Sequence, residues 1–265
     1  MIENSLIWIV SDVDGTLMDH SYDLTPAKET INWLKELGIP VVLCTSKTAA
    51  EVKVIRNDLD LKDPYIVENG GAIYGEYSNG EEWEIILGDS YELLEKVLHS
   101  FSQNVNYYLR PLNDLSDEEA TNLTGLSGNS LSLMRDRHWS MPFLNPPEYL
   151  EMELKNLCEK YEVDIFRGNR MSHLLSKNSN KGKAIKKLID KYKNLDIKII
   201  GLGDSPNDLP LLLNSNYKIV ISGVEGPNKK LLHELKGNQF EVSEKPNGFG
   251  WREEVVKKIS KLLNI

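Results

Sequence analysis

The sequence is poor in cysteine, in positive charge and in long apolar runs. It has 2 cysteines, Cys44 and Cys158, among 265 residues, too few for the disulfide framework of a secreted scaffold. Lys and Arg number 31 against 40 Asp and Glu, a net charge of −9. That excess of acid argues against the broad basic face that nucleic acids and anionic membranes require. No apolar run is long enough to span a bilayer. We therefore expect a cytoplasmic protein without nucleic-acid or membrane partners.

Short apolar runs alternate with helical patterns in the first part of the chain and again near its end. "LIWIV", "IPVVLCT" and "PYIVENGG" read as buried strands, and "LTPAKETINWLKELG" and 49–59 read as helices. In the first helix, Thr25 is the expected N-cap and Gly38 the expected end. "KGKAIKKLIDKY", "DIKIIGLGD", "PNDLPLLLNS" and "YKIVIS" repeat the rhythm. This alternation predicts an α/β fold, with a Rossmann-like parallel sheet core and helices on both faces.

The middle of the chain breaks this rhythm. It contains the polar stretch "DLSDEEATNLTGLSGNS", interpreted as loops, helical stretches over 91–101 and 148–162, and two strand-like stretches, "VDIFRGN" and "MSHLLSK". We expect those two strands to pair. The sequence thus predicts an inserted α+β domain over 88–177, and a discontinuous core domain formed by 1–87 and 178–265.

Chemistry-bearing side chains follow the predicted sheet strands. Because parallel strands end at one edge, these residues should converge there: Asp12, Asp14, Thr45, Lys181, Asp204 and Asp208. Carboxylates this close repel one another unless a proton or a cation lies between them. Oxygen ligands with few histidines favour Mg²⁺ over Zn²⁺. We expect Asp12, Asp14, Asp204 and Asp208 to form the metal site. Asp208 would support the site without contacting the ion directly, or would contact it through water. Asp208 could instead cap the helix that follows, or do both.

A phosphoryl-transfer site gives each of the other residues a task. Asp12 would attack phosphorus, and Asp14 would protonate the leaving oxygen and later deprotonate water. Thr45 and Lys181 would hold the phosphoryl oxygens and offset their charge. Two plainer interpretations stay open at this point, because Thr45 could be a helix N-cap and Lys181 a solvated helix residue. Cys44, within an apolar strand, is expected to be inert packing.

These motifs resemble, in order, those of the haloacid dehalogenase superfamily of phosphotransferases. "DVDGT", the strand-terminal Thr45, the lysine of "KGKA" and "GDSPND" carry the likeness. The resemblance implies that Asp12 is the nucleophile, Asp14 the acid/base and Mg²⁺ the cofactor. It also implies that the long insertion between Thr45 and Lys181 is a C2-type cap. Members with such a cap are mostly small-molecule phosphatases.

A narrower resemblance is to the mannosyl-3-phosphoglycerate phosphatase branch, which takes part in making the compatible solute mannosylglycerate. "IVENGGAIY", "RDRHWSMPFL", "RGNRMSHLL…NKGKA" and "PNGFGW" carry it. It implies substrate contacts at Asn69, Arg137, Ser140, Arg170 and His173. The branch carries acidic residues where this chain has His138 and Met141, so both mannosyl- and glucosyl-3-phosphoglycerate are open as substrates. The implied partner is a small phosphorylated sugar acid as substrate. We expect the protein to be a monomer or a weak homodimer.

Other interpretations remain open for the whole chain and for the cap residues. A broader sugar-phosphate phosphatase and a phosphomutase share the same motifs. A receiver-type phospho-acceptor module fits less well, because it lacks an acid/base two residues after the acceptor and has no cap. Arg137 and Arg170 could be solvated, and His173 could be packed. Trp139 and Phe143 are expected to belong to the cap core.

Overall fold

A computed structural model describes residues 5–19, 21–168, 170–193 and 195–265. Two β-sheets organise them. The strands, in chain order, are β1 (Ser5–Ser11), β2 (Val41–Cys44), β3 (Tyr65–Val67), β4 (Ala72–Glu76), β5 (Glu82–Ile86), β6 (Met141–Leu144), β7 (Val163–Arg167), β8 (Met171–Ser176), β9 (Asp196–Gly203), β10 (Tyr217–Ser222) and β11 (Glu241–Pro246).

Helices cover both sheets. They are α1 (Thr25–Glu36), α2 (Ala49–Asp58), α3 (Tyr91–Asn104), α4 (Asp117–Thr124), α5 (Gly128–Arg135), α6 (Glu151–Tyr161), α7 (Lys181–Lys191), α8 (Leu209–Leu213), α9 (Lys229–Glu234) and α10 (Asn247–Leu263). Single 3₁₀ turns lie at Glu68–Gly70, Leu112–Asp114, Glu148–Leu150 and Pro206–Asp208. Within the described ranges, no helix has the length and apolar character that a bilayer crossing requires.

The larger sheet has the strand order β11-β10-β9-β1-β2-β3-β4-β5. Pairing is parallel from β11 to β3, and β4 and β5 extend that sheet with antiparallel pairing. Apolar side chains of α1, α2 and α10 pack on one face, and those of α7 and α8 on the other. Burial on both faces explains why the central strands are continuous apolar runs. The predicted α/β fold class is confirmed, with an antiparallel edge that the sequence interpretation did not include.

The start of α1 differs from the prediction by one residue. Thr25 is the first helical residue rather than the N-cap, which is Leu24 and makes no side-chain capping bond. The backbone N–H of Thr25 instead donates to the Asp23 carboxylate (2.9 Å). The Asp23 carboxylate, placed just before the helix, therefore satisfies a donor at its beginning. The predicted end is confirmed, because the helix finishes before Gly38.

Residues 88–177, called the middle segment below, contain a sheet of their own with the order β6-β8-β7. β7 and β8 pair antiparallel, as predicted for "VDIFRGN" and "MSHLLSK". Helices α3 and α6 pack against this sheet around Phe101 and Phe143. Phe143 is fully buried there, which confirms its assignment to a core.

Most of the polar stretch of the middle segment is helical, so the prediction of loops was wrong for those residues. A capping box begins α4: the Ser116 hydroxyl accepts from the N–H of Glu119, whose carboxylate accepts from the N–H of Ser116. Ala120 and Thr124 are the buried residues of this short helix. The S-x-x-E signal of a helix start was present in the sequence. Few apolar residues follow it, which is why periodicity did not reveal the helix.

Candidate active site

Three neighbouring parallel strands end at the same edge of the large sheet. Asp12 follows β1, Thr45 follows β2, and Asp204 follows β9. The N–H of Asp12 still donates to the carbonyl of Leu202 in β9 (2.9 Å), so the last ladder bond fixes the backbone where the carboxylate begins. The edge is where open α/β sheets place ligands.

Lys181 lies at this edge and has no exposed surface. Its ammonium lies 2.5 Å from the carboxylate of Asp12 and 2.5 Å from that of Asp208. Burial opposes the charged form, but the two carboxylates more than offset it and raise the pKa of Lys181 above its usual value. The alternative of a solvated helix lysine is therefore wrong.

A third carboxylate, that of Asp204, lies close to the two that contact this ammonium. Asp12, Asp204 and Asp208 each offer an oxygen, and these atoms lie within 4.8 Å of one another. Burial, followed by the charge of Asp208, raises the pKa of Asp12 to about 7 despite the opposing effect of Lys181. Burial and the same neighbouring carboxylates also raise the pKa of Asp204 well above its usual value. An all-oxygen cluster with two buried members, one half-buried member and excess negative charge fits a hard divalent cation.

The loop after β1 approaches this cluster closely. Gly15 has φ +80, and a Cβ there would lie 2.7 Å from a carboxylate oxygen of Asp204. The next residue, Thr16, is buried, and its hydroxyl donates to the other Asp204 oxygen (3.0 Å). The glycine of "DGT" is thus required for space and for backbone conformation. Sequence reasoning did not assign Thr16 a role.

Asp208 has two structural tasks at once. One carboxylate oxygen accepts from the backbone N–H groups of Asp204 and Ser205, each at 3.0 Å. The other oxygen accepts from Lys181. The interpretation of Asp208 as a helix cap alone is therefore too narrow. Its capping bonds also hold the backbone of Asp204 in place.

Asp14 pairs with a different cation from the one that joins Asp12 to Asp208. Its carboxylate lies 3.1 Å from the ammonium of Lys47, a buried residue that also pairs with Glu51 at 3.4 Å. Burial disfavours the charged lysine, but Asp14 and Glu51 raise the pKa of Lys47 above its usual value. The structure does not group Asp14 with the metal-competent carboxylates. Sequence reasoning missed Lys47, although "TSK" places it two residues after a predicted site residue.

Thr45 lies fully buried beside this ion pair. Its hydroxyl accepts from the N–H of Lys47 (3.2 Å). The N-cap of α2 is Thr48, in a capping box with Glu51, so the interpretation of Thr45 as N-cap is wrong. The neighbouring Cys44 is a buried free cysteine, as packing predicts, and burial raises the pKa of its thiol.

Three of the predicted substrate contacts lie where the middle segment meets the core. The Asn69 side-chain oxygen accepts from the amide of Asn207 (3.1 Å). Arg137 donates to the carbonyl of Ser46 (3.1 Å) and to the hydroxyl of Ser140 (3.0 Å). That hydroxyl donates to Glu68 (2.6 Å). Each of the three therefore already has a protein partner.

The other two predicted contacts are held inside the middle segment. Arg170 is exposed, and its guanidinium donates to the carbonyl of Thr124 (2.6 Å). Nδ1 of His173 is buried without a hydrogen-bond partner among the described residues. Burial, with a smaller effect of Arg137, lowers the pKa of His173 to about 3, so this imidazole is neutral. Neither residue forms a hydrogen bond or ion pair with the clustered carboxylates in the described part of the chain.

Comparison with known proteins decides the family. The model of the haloacid dehalogenase-like hydrolases matches residues 9–121 and 132–224. The chain belongs to that family. This haloacid dehalogenase-like hydrolase is 31% identical to the glucosyl-3-phosphoglycerate/mannosyl-3-phosphoglycerate phosphatase of Persephonella marina, across 93% of the chain and 95% of the relative. The resemblance drawn from "DVDGT", "KGKA" and "GDSPND" is thereby confirmed, and so is the predicted enzyme class, a phosphoric monoester hydrolase.

Solved structures of other phosphatases share the fold. A phosphatase of the superfamily from Bacteroides thetaiotaomicron has a TM-score of 0.71 at 14% identity, covering 98% of this hydrolase and 97% of that chain. The sucrose-phosphatase of Synechocystis sp. PCC6803, solved with sucrose and phosphate, has a TM-score of 0.64 at 14% identity, covering 96% and 98%. At these identities the likeness extends to the fold alone.

Proposed function

We propose that this hydrolase converts glucosyl- or mannosyl-3-phosphoglycerate to the glycosylglycerate and phosphate through an aspartyl-phosphate on Asp12. The observation that carries the proposal is the buried cluster in which Lys181 joins Asp12 to Asp208 at the edge of the sheet. The substrate class is taken from the Persephonella marina relative, whose name gives both glycosyl phosphoglycerates. Its similarity runs over both the core and the middle segment.

The first step forms a bond between a carboxylate oxygen of Asp12 and phosphorus, and breaks the bond from phosphorus to the glycerate oxygen. Asp14 donates a proton to that leaving oxygen. In the second step, water gives a proton back to Asp14 and attacks phosphorus. The phosphorus–Asp12 bond then breaks, which releases phosphate and restores the carboxylate.

Neighbouring side chains orient these groups. Lys47 holds the carboxylate of Asp14 through their ion pair, and so keeps the acid/base at a fixed distance from Asp12. Thr45 and Lys181 are proposed to hold the phosphoryl oxygens, where the ammonium offsets charge that grows in the transition state. Because Lys181 is fully buried, water screens this attraction little.

Asp12, Asp204 and Asp208 are the residues that would hold a divalent cation, and we propose Mg²⁺. The donor set consists of carboxylate oxygens, which suits a hard ion better than Zn²⁺. When bound, the ion would neutralise negative charge on the cluster and on the phosphoryl group. Thr16 and the capping bonds of Asp208 fix the ligands in advance.

The middle segment, 88–177, is proposed to be the cap domain, with 1–87 and 178–265 as the core domain. A cap over the site would exclude water and contact the glycosyl part of the substrate. Asn69, Arg137, Ser140 and His173 stay predicted substrate contacts. For Arg170, the exposed position and the bond to the carbonyl of Thr124 instead favour a role in the structure of the middle segment. The cytoplasmic location and the monomeric or weakly dimeric state also stay predictions from the sequence.

The test measures phosphate release from mannosyl- and glucosyl-3-phosphoglycerate, beside 3-phosphoglycerate, mannose 6-phosphate and glucose 1-phosphate, with Mg²⁺ or with a chelator. We expect Mg²⁺-dependent release that favours one glycosyl ester. Asp12→Asn should lower kcat by at least about 10³-fold, whereas Asp60→Asn, which changes an exposed carboxylate, should not.

Two results would contradict the proposal in different ways. Equal release from all the sugar phosphates would retain the mechanism and remove the substrate assignment. Conversion of one sugar phosphate into its isomer without free phosphate would indicate a phosphomutase.

A further inference from the structure

A buried carboxylate with no task in the proposed chemistry lies between core and middle segment. Glu68 follows β3 directly and is 1% exposed. It accepts three hydrogen bonds, from the N–H of His138 (3.0 Å), the N–H of Trp139 (3.1 Å) and the hydroxyl of Ser140 (2.6 Å). A buried carboxylate needs such donors to remain in place. All three come from the middle segment.

The backbone of the same short turn is tied to the active-site loop. The N–H of Glu68 donates to the carbonyl of Lys47 (2.9 Å), and the N–H of Asn69 donates to the carbonyl of Thr45 (2.8 Å). Lys47 pairs with the proposed acid/base, and Thr45 is the proposed phosphoryl contact. One two-residue turn therefore connects the middle segment to the loop that carries both groups.

This turn has an unusual backbone conformation. Glu68 and Asn69 have φ values of +49 and +57, a region that non-glycine residues rarely occupy. Such strain persists only where surrounding contacts determine the conformation, and it concentrates at functional sites. Here the contacts are the two loop carbonyls, the three donors to Glu68, and Asn207, which donates to the Asn69 side chain.

Residues 137–140 pack closely against the core at a contact that we call the joint. A Cβ on Gly71 would lie 2.4 Å from Cβ of Trp139, so only glycine fits there. Trp139 also donates from its indole nitrogen to the hydroxyl of Tyr74 (3.1 Å). Arg137 reaches the carbonyl of Ser46, next to Thr45. Residues 137–140 thus meet the core at several points, with Glu68 at the centre.

From these contacts we infer that Glu68 is a positioning residue. It sets the position of the middle segment over the phosphoryl site. It thereby favours substrates with a leaving group that the middle segment contacts. The inference rests on the proposed function. The hydrogen bonds from the backbone of this turn to the carbonyls of Thr45 and Lys47 do not involve the carboxylate of Glu68. Removing the carboxylate should consequently impair large substrates and spare a small aryl phosphate.

The experiment compares kcat and KM for the preferred glycosyl-3-phosphoglycerate and for p-nitrophenyl phosphate in Glu68→Ala and Glu68→Gln. We expect Glu68→Ala to lower kcat/KM for the glycosyl ester by about 30-fold and for p-nitrophenyl phosphate by less than about threefold. Glu68→Gln keeps an acceptor for some of the donors and should fall between. A parallel loss with both substrates would overturn the inference.

Two further variants separate positioning from a general loss of structure. Ser140→Ala removes one donor and leaves Glu68 in place; because Ser140 is also a predicted substrate contact, its readout is amide hydrogen exchange at His138 and Trp139, which should rise by a smaller factor than in Glu68→Ala. Glu254→Gln alters another buried carboxylate, which pairs with Lys257 on α10, and should leave the ratio of kcat/KM for the two substrates unchanged. An equal shift of the ratio in Glu254→Gln would also overturn the inference.

Amide hydrogen exchange tests the joint without relying on activity. The N–H groups of His138 and Trp139 donate to Glu68, so they should exchange at least about tenfold faster in Glu68→Ala, while amides of β9 should not change. Unchanged exchange at 138 and 139 would overturn the inference even in an active enzyme. Should the wild type hydrolyse neither ester, the proposed function would fail, and the exchange rates would still decide whether Glu68 fixes the joint.

Discussion

The edge of the large sheet and the middle segment treat their polar side chains differently. At the edge, the buried Asp12 and Asp208 share the buried ammonium of Lys181, and the half-buried Asp204 lies beside them, so negative charge is left over. In the middle segment, Arg137, Ser140 and Arg170 already donate to protein acceptors, although Nδ1 of His173 and Nε of Arg137 are buried without a partner among the described residues. Uncompensated buried charge is costly and is retained for chemistry or ion binding. Satisfied polar groups need no further ligand to remain in place.

The largest effect should follow removal of the shared cation. Lys181→Met retains the bulk of the side chain but leaves Asp12 and Asp208 without their ammonium. Breaking a buried pair in this way should lower the free energy of unfolding by about 3 kcal/mol at neutral pH. It should also reduce kcat by about 10³-fold or more, since the transition-state charge is no longer offset. Urea unfolding and phosphate release measure the two quantities.

Lys258→Met is the matched control for that substitution. Lys258 is also buried and pairs with a single carboxylate, that of Glu241 on β11. It should cost some stability and leave kcat within about twofold. Similar losses of kcat in both variants would mean that the ammonium at the sheet edge contributes no more to catalysis than a buried ammonium elsewhere in the protein.

A second effect concerns pH and divalent cations. The pKa of Asp12 is raised to about 7 from 3.8, and that of Asp204 is raised too. The folded protein therefore binds more protons than the unfolded chain between these values, and its stability should fall as pH rises from about 4 to about 7 in the presence of a chelator. Asp12→Asn should flatten that slope. Thermal unfolding across this pH range measures it.

Added Mg²⁺ should reverse the loss at the upper end of the range. Saturating Mg²⁺ should raise Tm by about 5 °C at pH 7.5, and by less at pH 5, where protons compete for the carboxylates. A Tm that rises equally at both pH values would indicate that the ion binds outside the clustered carboxylates.

The sequence sufficed for residues that sheet topology brings together. Asp12, Thr45 and Asp204 each follow a parallel strand, and neighbouring parallel strands share an edge, so a pattern of strands predicts their convergence. Lys181 was identified by its motif, at the start of a predicted helix. Local pattern and topology were enough in these cases.

Contacts across distant parts of the chain could not be predicted in the same way. Glu68 meets Ser140, 72 positions away, and no spacing rule links a turn after a core strand to a loop in the middle segment. Lys47 was missed because its partner Asp14 follows β1, whereas Lys47 follows β2. The cap-side residues were inferred from resemblance alone, which identifies residue types but not their hydrogen-bond partners.

A smaller effect should separate two tryptophans of the core. The indole N–H of Trp251, in the "PNGFGW" motif, donates to the hydroxyl of Ser11 (2.9 Å), which donates to the carbonyl of Asp12 (2.6 Å). The indole nitrogen of Trp8, on β1, is buried without a partner in the described residues. Trp251→Phe should lower kcat by about fivefold, and Trp8→Phe by less than twofold. Steady-state kinetics with one substrate compares them.

Ser11→Ala should reproduce the effect of Trp251→Phe, and the double variant should be no slower than the worse single one. Multiplying losses in the double variant would contradict a single hydrogen-bonded chain to Asp12.

The smallest effect should come from the middle segment itself. Because Arg170 is exposed and donates to the carbonyl of Thr124, Arg170→Ala should change KM for the glycosyl ester by less than about twofold. Arg110→Ala, which removes an exposed ion pair with Glu119 in the same segment, is the control. A tenfold rise in KM for Arg170→Ala alone would break the comparison, since a guanidinium with a protein partner would then also bind the glycerate carboxylate. The two regions would then differ in geometry rather than in charge, because the substrate would displace the carbonyl of Thr124 from Arg170.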